Sequence, residues 1–142
     1  MLKGIPDILP PELLKVLAEM GHGDELVIGD CNFPAASMNK RCIRADGHRG
    51  TELLDAILGL FPLDTFVDAP VTLMRVAPGI LEADPPIWRE FNRIIERHQP
   101  GTKTEQIDRF AFYDRAKAAY ATLATSEKAL YACLIIKKGC LL

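Results

Sequence analysis

The side chains best suited to moving a proton near neutral pH are the three histidines, His22, His48 and His98, because an imidazole with an ordinary pKa of about 6.5 can act there as acid or base. His22 differs from the other two. A glycine on each side, Gly21 and Gly23, leaves its backbone free to adopt an unusual turn and its ring accessible to a small molecule. Two carboxylates, Asp24 and Asp30, are close in sequence, and the apolar run between them is expected to bring the turn and the end of a strand round one pocket. A histidine just after a helix also suits the helix dipole, so spacing alone leaves His22 open between catalysis and capping. His48, in the glycine-rich turn 46–50, reads as an exposed loop residue. His98, in Arg97-His98-Gln99, reads as a cation at the end of a helix.

Other routes to catalysis are poorly provided for. No GxSxG is present, and no cysteine neighbours a histidine, so a serine or cysteine nucleophile has no local support. The glycines form neither GxGxxG nor a P-loop, which leaves no phosphate cradle or nicotinamide site, and no cofactor is expected. Cys31, Cys42, Cys133 and Cys140 lack CxxC or CxH spacing, so no zinc or redox motif is written locally and no metal is expected. They read as free thiols in a reducing compartment. Arg109 stands between Asp108 and the aromatic residues Phe110, Phe112 and Tyr113. Its guanidinium can be steadied by ring stacking or spent on a structural salt bridge, and both readings remain open.

Helices and strands must alternate to position these residues. Pro10-Pro11 opens a helix with Leu13, Leu14, Leu17 and Met20 at core spacing, which Gly21 should end. Residues 25–29 then read as a strand, which places His22 in the turn before it and Asp30 at its carboxyl end, ahead of a polar loop. Residues 41–44 form a weak strand, and Thr51 can cap a helix running to Phe61 and stopped by Pro62. The β-branched run 70–77 is a strand, Pro85-Pro86 introduces a strongly amphipathic helix over 87–98, and 105–108 leads as a short strand into the helix FAFYDRAKAAYA. Runs 120–125 and 130–137, separated by Ser126-Glu127-Lys128, read as a terminal hairpin. The whole predicts a single α/β domain over residues 1–142, with a mixed sheet flanked by helices.

With 142 residues the chain suits one domain, and 49% hydrophobic with 25% charged residues is ordinary globular composition. Seventeen basic against 19 acidic residues give a formal charge of −2 with the signs mixed, which disfavours electrostatic binding of nucleic acid. The longest apolar run, 129–136, is far short of the roughly 20 residues a spanning helix needs. Asp7 and three prolines interrupt any signal-type core in MLKGIPDILPPE, so a cytoplasmic protein is expected.

Five blocks carry a resemblance beyond spacing: PELLKVLAEMGHGDEL at 11–26, GDCNFPAASM at 29–38, IRADG at 43–47, DRFAFYDRA at 108–116 and YACLIIKKG at 131–139. In that order they resemble the L-fucose mutarotase family, related to the D-ribose pyranases; between about 64 and 104 the match is mainly one of pattern. The resemblance implies a cofactor-free isomerase that interconverts ring forms of a reducing monosaccharide, with a mixed sheet flanked by helices and assembly into a ring-shaped homo-oligomer, typically a decamer. It implies His22 as proton donor, Asp30 and Arg109 as sugar-binding residues, and Tyr131, Ala132 and Cys133 as the strand segment completing the site, with Tyr131 able to relay a second proton. One position departs from the pattern: the family usually has asparagine where this chain has Cys133, exchanging an amide for a weakly hydrogen-bonding thiol. L-fucose is the expected sugar and ribose the variant. A non-catalytic sugar-binding or regulatory protein is the alternative, which would not require His22, and a metal or redox protein is a third class.

Overall fold

The computed structural model describes residues 1–80 and 82–142. Its elements run α1 (Pro11–Glu19), β1 (Glu25–Gly29), α2 (Ala35–Met38), β2 (Cys42–Ala45), α3 (Gly50–Leu58), β3 (Val71–Met74), α4 (Pro86–His98), β4 (Thr104–Ile107), α5 (Arg109–Ala118), β5 (Ala121–Thr125) and β6 (Leu134–Lys137). Proline opens α1 and α4 within the first turn, where its missing N–H costs nothing. The Asp108 carboxylate caps α5, its Oδ1 accepting from the backbone N–H groups of Phe110 and Ala111 at 3.0 Å each. The third helix begins before Thr51, with Arg49 at its N-cap and the Glu52 carboxylate accepting the Arg49 N–H at 2.7 Å. The segment expected to be a polar loop after Asp30 contains the four-residue helix α2, too short for periodicity to reveal.

Six strands form one mixed sheet in the order β2-β5-β1-β6-β3-β4. β1, β5 and β2 run parallel, as do β3 and β4, while β6 joins the two sets by running antiparallel to both β1 and β3. Period-two alternation sends Leu26, Ile28, Leu134 and Ile136 to one face, against Leu13, Leu53, Ile57 and Phe91 of α1, α3 and α4. Val27, Cys133 and Ile135 face the other way, against Phe33, Ala35, Phe112 and Ala116 around α2 and α5. Both faces of the central strands are thus covered, which is why they read as near-continuous apolar runs.

The expected terminal hairpin is not formed. β5 and β6 lie on opposite sides of β1, each pairing with it along its length. Their connection must therefore span two interstrand spacings, roughly 10 Å, which a three-residue turn cannot do. Residues 126–133 instead arch over the carboxyl end of β1, where Asp30 emerges.

Gly29, the last residue of β1, is required by close approach. A Cβ at this position would stand 2.5 Å from Phe33 Cδ1 and 2.8 Å from Phe33 Cβ. Phe33 has little room to yield, since its ring meets those of Phe112 and Tyr113 edge-on at 5.8 Å. Gly29→Ala is expected to destabilise the fold by about 1–3 kcal/mol, the usual range for overpacking. The urea-unfolding midpoint measures this directly, and an unchanged midpoint would show that Phe33 moves aside freely.

Candidate active site

The topology gathers four of the sequence-predicted residues at one end of the sheet. Asp30, Arg109, Tyr131 and Cys133 line a cavity of about 170 Å³, with Met74 and Phe33 among its apolar walls. That volume is small against the roughly 300–1,000 Å³ of pockets for drug-sized ligands. Asp30 is buried, and its Oδ1 accepts the Asn32 N–H at 2.9 Å in a local turn that fixes the carboxylate. The backbone N–H of Asp30 points to Cys133 Sγ at 3.5 Å. Burial, reinforced by the neighbouring Asp30 carboxylate, pushes the Cys133 thiol well above its ordinary pKa. It is therefore protonated at neutrality and makes a poor nucleophile.

Arg109 is the first residue of α5, and its guanidinium stacks on the exposed Phe110 ring at 4.9 Å. Among the described residues no salt bridge engages it, which decides between the two sequence readings in favour of stacking. A cation at a helix N-terminus opposes the macrodipole, so this position does nothing for the helix and leaves the donor fork free for a ligand.

Tyr131 is the one non-glycine residue with positive φ among those described, at 58°. Such a conformation costs an ordinary side chain roughly 1–2 kcal/mol and persists where its surroundings hold it. Here the Trp88 indole N–H donates to the Tyr131 carbonyl at 2.9 Å, and the Ala77 N–H donates to the Tyr131 hydroxyl oxygen at 3.2 Å. The phenol keeps its own proton free to donate. Ala132, next along the chain, is wholly buried with its side chain in the core facing α1, α3 and α4, and it does not line the cavity.

His22 is not in this cavity. The expected pocket formed by the two ends of β1 does not exist within one chain: Asp30 follows the strand's carboxyl end while His22 precedes its amino end, more than about 13 Å away along the sheet. A strand that pairs on both sides is straight, so it separates its ends rather than joining them. His22 sits in a turn that depends on Gly23, at φ 88°, whose N–H donates to the Lys138 carbonyl at 2.8 Å. The imidazole is half exposed, with Nε2 3.1 Å from Asp64 Oδ1 and its ring 5.4 Å from that of Phe66. Burial opposes ionisation of Asp64, but the Phe66 N–H at 2.9 Å and the His22 ring outweigh it and hold the carboxyl below the usual range. The carboxylate therefore fixes the orientation of an exposed imidazole, the arrangement of an oriented general acid.

Asp64 is not evident in the sequence, because 42 residues separate it from His22 and it lies outside the five blocks that carry the resemblance. Met74, Asn32 and Trp88 likewise enter only through tertiary packing. Asp24 does not line the cavity, and its carboxylate accepts the Gly21 N–H at 2.7 Å. His48 pairs with Glu52 at 3.1 Å, and His98 with Asp55 at 2.6 Å at the end of α4, in keeping with a cation at a helix end. Among the described residues no group of three or more His, Cys, Asp or Glu side chains is arranged to hold a metal ion.

Comparison with known proteins resolves the family. Residues 3–141 match the model of the RbsD / FucU transport protein family. The chain belongs to the RbsD / FucU family. Among its relatives, the fucose mutarotase of Danio rerio is 51% identical over 98% of this chain and 94% of its own length. The FucU structure from Bifidobacterium longum superimposes with a TM-score of 0.94 at 52% identity, covering 99% of this chain and 100% of the other. The fucose mutarotase of Streptococcus pneumoniae, solved in complex with L-fucose, gives 0.93 at 46% identity with the same coverage. The RbsD / FucU fold thus accounts for the mixed sheet, including the insertion of β1 between β5 and β6.

Proposed function

We propose that this RbsD / FucU chain, as a single domain, is a cytoplasmic sugar mutarotase, an isomerase that interconverts the anomers of L-fucose by cofactor-free proton transfer. In this reading it works as a ring-shaped homo-oligomer, a decamer, in which His22 of one subunit closes the cavity of the next. The observation that carries it is the division of one set of proton-transfer and sugar-binding groups between the two ends of the sheet: an oriented imidazole at the rim of a hollow lined mainly by apolar side chains such as Leu17, Leu60 and Pro62, and a separate cavity that holds Asp30, Arg109 and Tyr131 but no histidine. Exposed apolar side chains accompany both halves. Phe66 stands beside His22, Leu130 lines the cavity and Phe110 stacks under its Arg109.

The chemistry follows from these groups. Ring opening breaks the bond between C1 and the ring oxygen; the imidazolium of His22 delivers a proton to that oxygen as the anomeric hydroxyl loses its own and becomes the aldehyde. Tyr131, whose hydroxyl oxygen is fixed by the Ala77 N–H, relays the second proton by accepting it and passing its own to water, from which a proton returns in the reverse step. Asp30 accepts from sugar hydroxyls and Arg109 donates to them, which orients the ring for attack on either face of C1. Rotation about C1–C2 and the reverse transfers close the other anomer, so protons balance over the cycle.

Saturation-transfer NMR on equilibrated L-fucose tests this reading, because it reports exchange between anomers directly. The expected result is faster exchange at catalytic protein concentrations without added metal. Exchange no faster than in buffer for L-fucose, D-ribose and other reducing sugars would refute it.

Cys133 gives a further expectation. An asparagine there would accept the Asp30 N–H through its carbonyl and still offer an amide donor to the sugar, where the thiol offers little. Cys133→Asn is expected to tighten L-fucose binding about tenfold, equivalent to roughly 1.4 kcal/mol. Trp88 is the only tryptophan in the chain and bonds to Tyr131, so its emission provides the titration signal. Equal affinities in wild type and variant would remove Cys133 from the specificity residues.

A further inference from the structure

Glu127 is a buried carboxylate that the reaction above does not use, and only 2% of it is exposed. Burying such a charge is unfavourable unless both oxygens are satisfied. Here they are: Oε1 accepts the Ala129 N–H at 3.1 Å, and Oε2 accepts from Arg49 Nε at 3.3 Å. Its main chain is equally engaged. The Glu127 carbonyl accepts the Cys31 N–H at 2.8 Å, and its N–H donates to Thr125 Oγ1 at 3.1 Å, whose hydroxyl in turn donates to the Gly29 carbonyl at 2.8 Å. One residue therefore bonds to the chain on one side of Asp30 and, through Thr125, to the chain on the other. It also holds Ala129, two residues before Tyr131.

We infer that Glu127 is a positioning residue of the cavity, fixing the arch 126–133 against the end of β1 so that Asp30 and Tyr131 face the same sugar. The main chain of Glu127 ties the arch to the chain on both sides of Asp30, and its side chain adds a hold on Ala129 and Arg49 that an uncharged, apolar residue at this position would not supply. Arg49 completes the device from outside, since it is exposed and reaches the buried carboxylate from the start of α3. No contact with sugar is assigned to Glu127, which acts through its neighbours. The inference rests on the cavity being the sugar site of the proposed mutarotase.

The test compares Glu127→Gln and Glu127→Ala with wild type at a temperature well below each unfolding midpoint. Glutamine keeps an acceptor for the Ala129 N–H and is expected to retain most of the wild-type kcat/KM for L-fucose anomer exchange. Alanine removes both side-chain bonds, and kcat/KM is expected to fall about tenfold or more, chiefly through KM. Wild-type kcat/KM in folded Glu127→Ala would overturn the inference. If that variant does not fold, Arg49→Met, which removes one bond from an exposed side chain, is expected to raise KM in the same direction; an unchanged KM there would overturn it. Amide deuterium exchange at Cys31 and Ala129 is read in parallel and needs no sugar. Faster exchange at both in Glu127→Ala supports the positioning role even if wild type proves inactive on every sugar, a result that would sink only the mutarotase reading. Unchanged protection at both amides overturns the role.

Discussion

Replacing His22 by alanine is expected to slow anomer exchange of L-fucose by about 10²–10⁴-fold, the range over which a positioned acid or base contributes, while sugar still binds. The effect should fall on kcat because Asp30, Arg109 and Tyr131, which make the cavity, lie at the other end of the chain's own sheet and are untouched by the change. The fold should also survive, since the ring is half exposed and its one hydrogen bond is to Asp64. Asp64→Asn provides the graded comparison: it preserves the shape but replaces the carboxylate that orients the imidazole with an amide, so a smaller loss than His22→Ala is expected. Exchange rates come from saturation transfer and affinities from Trp88 emission on the same samples. A His22→Ala protein that exchanges anomers at the wild-type rate would eliminate His22 as the acid and the mechanism with it.

The second large effect is recovery of activity on mixing two inactive proteins. If each site takes His22 from one subunit and its cavity from the next, neither His22→Ala nor Asp30→Asn alone has a complete site. Dissociating and reassembling the two in equal amounts gives interfaces at which a wild-type His22 meets a wild-type Asp30. In a head-to-tail ring such an interface arises by chance about one time in four, so activity should return to about one quarter of wild type. No site built within one chain can behave this way, because every chain in the mixture carries a defect. Activity that stays at the level of the inactive parents after verified subunit exchange would refute the shared site. Sedimentation as a single 15.7 kDa species that remains fully active would refute it independently.

The helices and the individual strands are legible in the amino-acid sequence because their signals are local. Proline pairs mark the starts of α1 and α4, and apolar spacing marks their buried faces, since both are properties of adjacent turns. The run at 25–29 matches β1 to the residue. Strand pairing is less accessible: β5 and β6 are apolar on both faces, which tells that each is covered but not which neighbour it has, and proximity along the chain suggests the wrong one. The same distinction divides the site. Asp30, Arg109, Tyr131 and Cys133 are identified by resemblance, and the sheet brings them together. His22 is identified too, but its placement at the opposite end depends on β1 being a straight central strand, and its partner Asp64 depends on a loop 42 residues away.

The insertion of β1 between two strands from the end of the chain also dictates how the molecule can fold. Leu26 pairs with Ala121 on one side and Ile136 on the other, so the earliest strand has no sheet partner until the latest ones exist. During synthesis the chain up to Ile107 can form helices and then the β3–β4 pair, yet the middle of the sheet must wait for the end of the chain. Such non-local pairing raises contact order and slows the rate-limiting step of folding, and it leaves the apolar faces of α1 and α3 exposed to aggregation in the interim. The carboxylate of Asp30 and the arch that surrounds it are consequently assembled last, in the same cooperative event that closes the sheet.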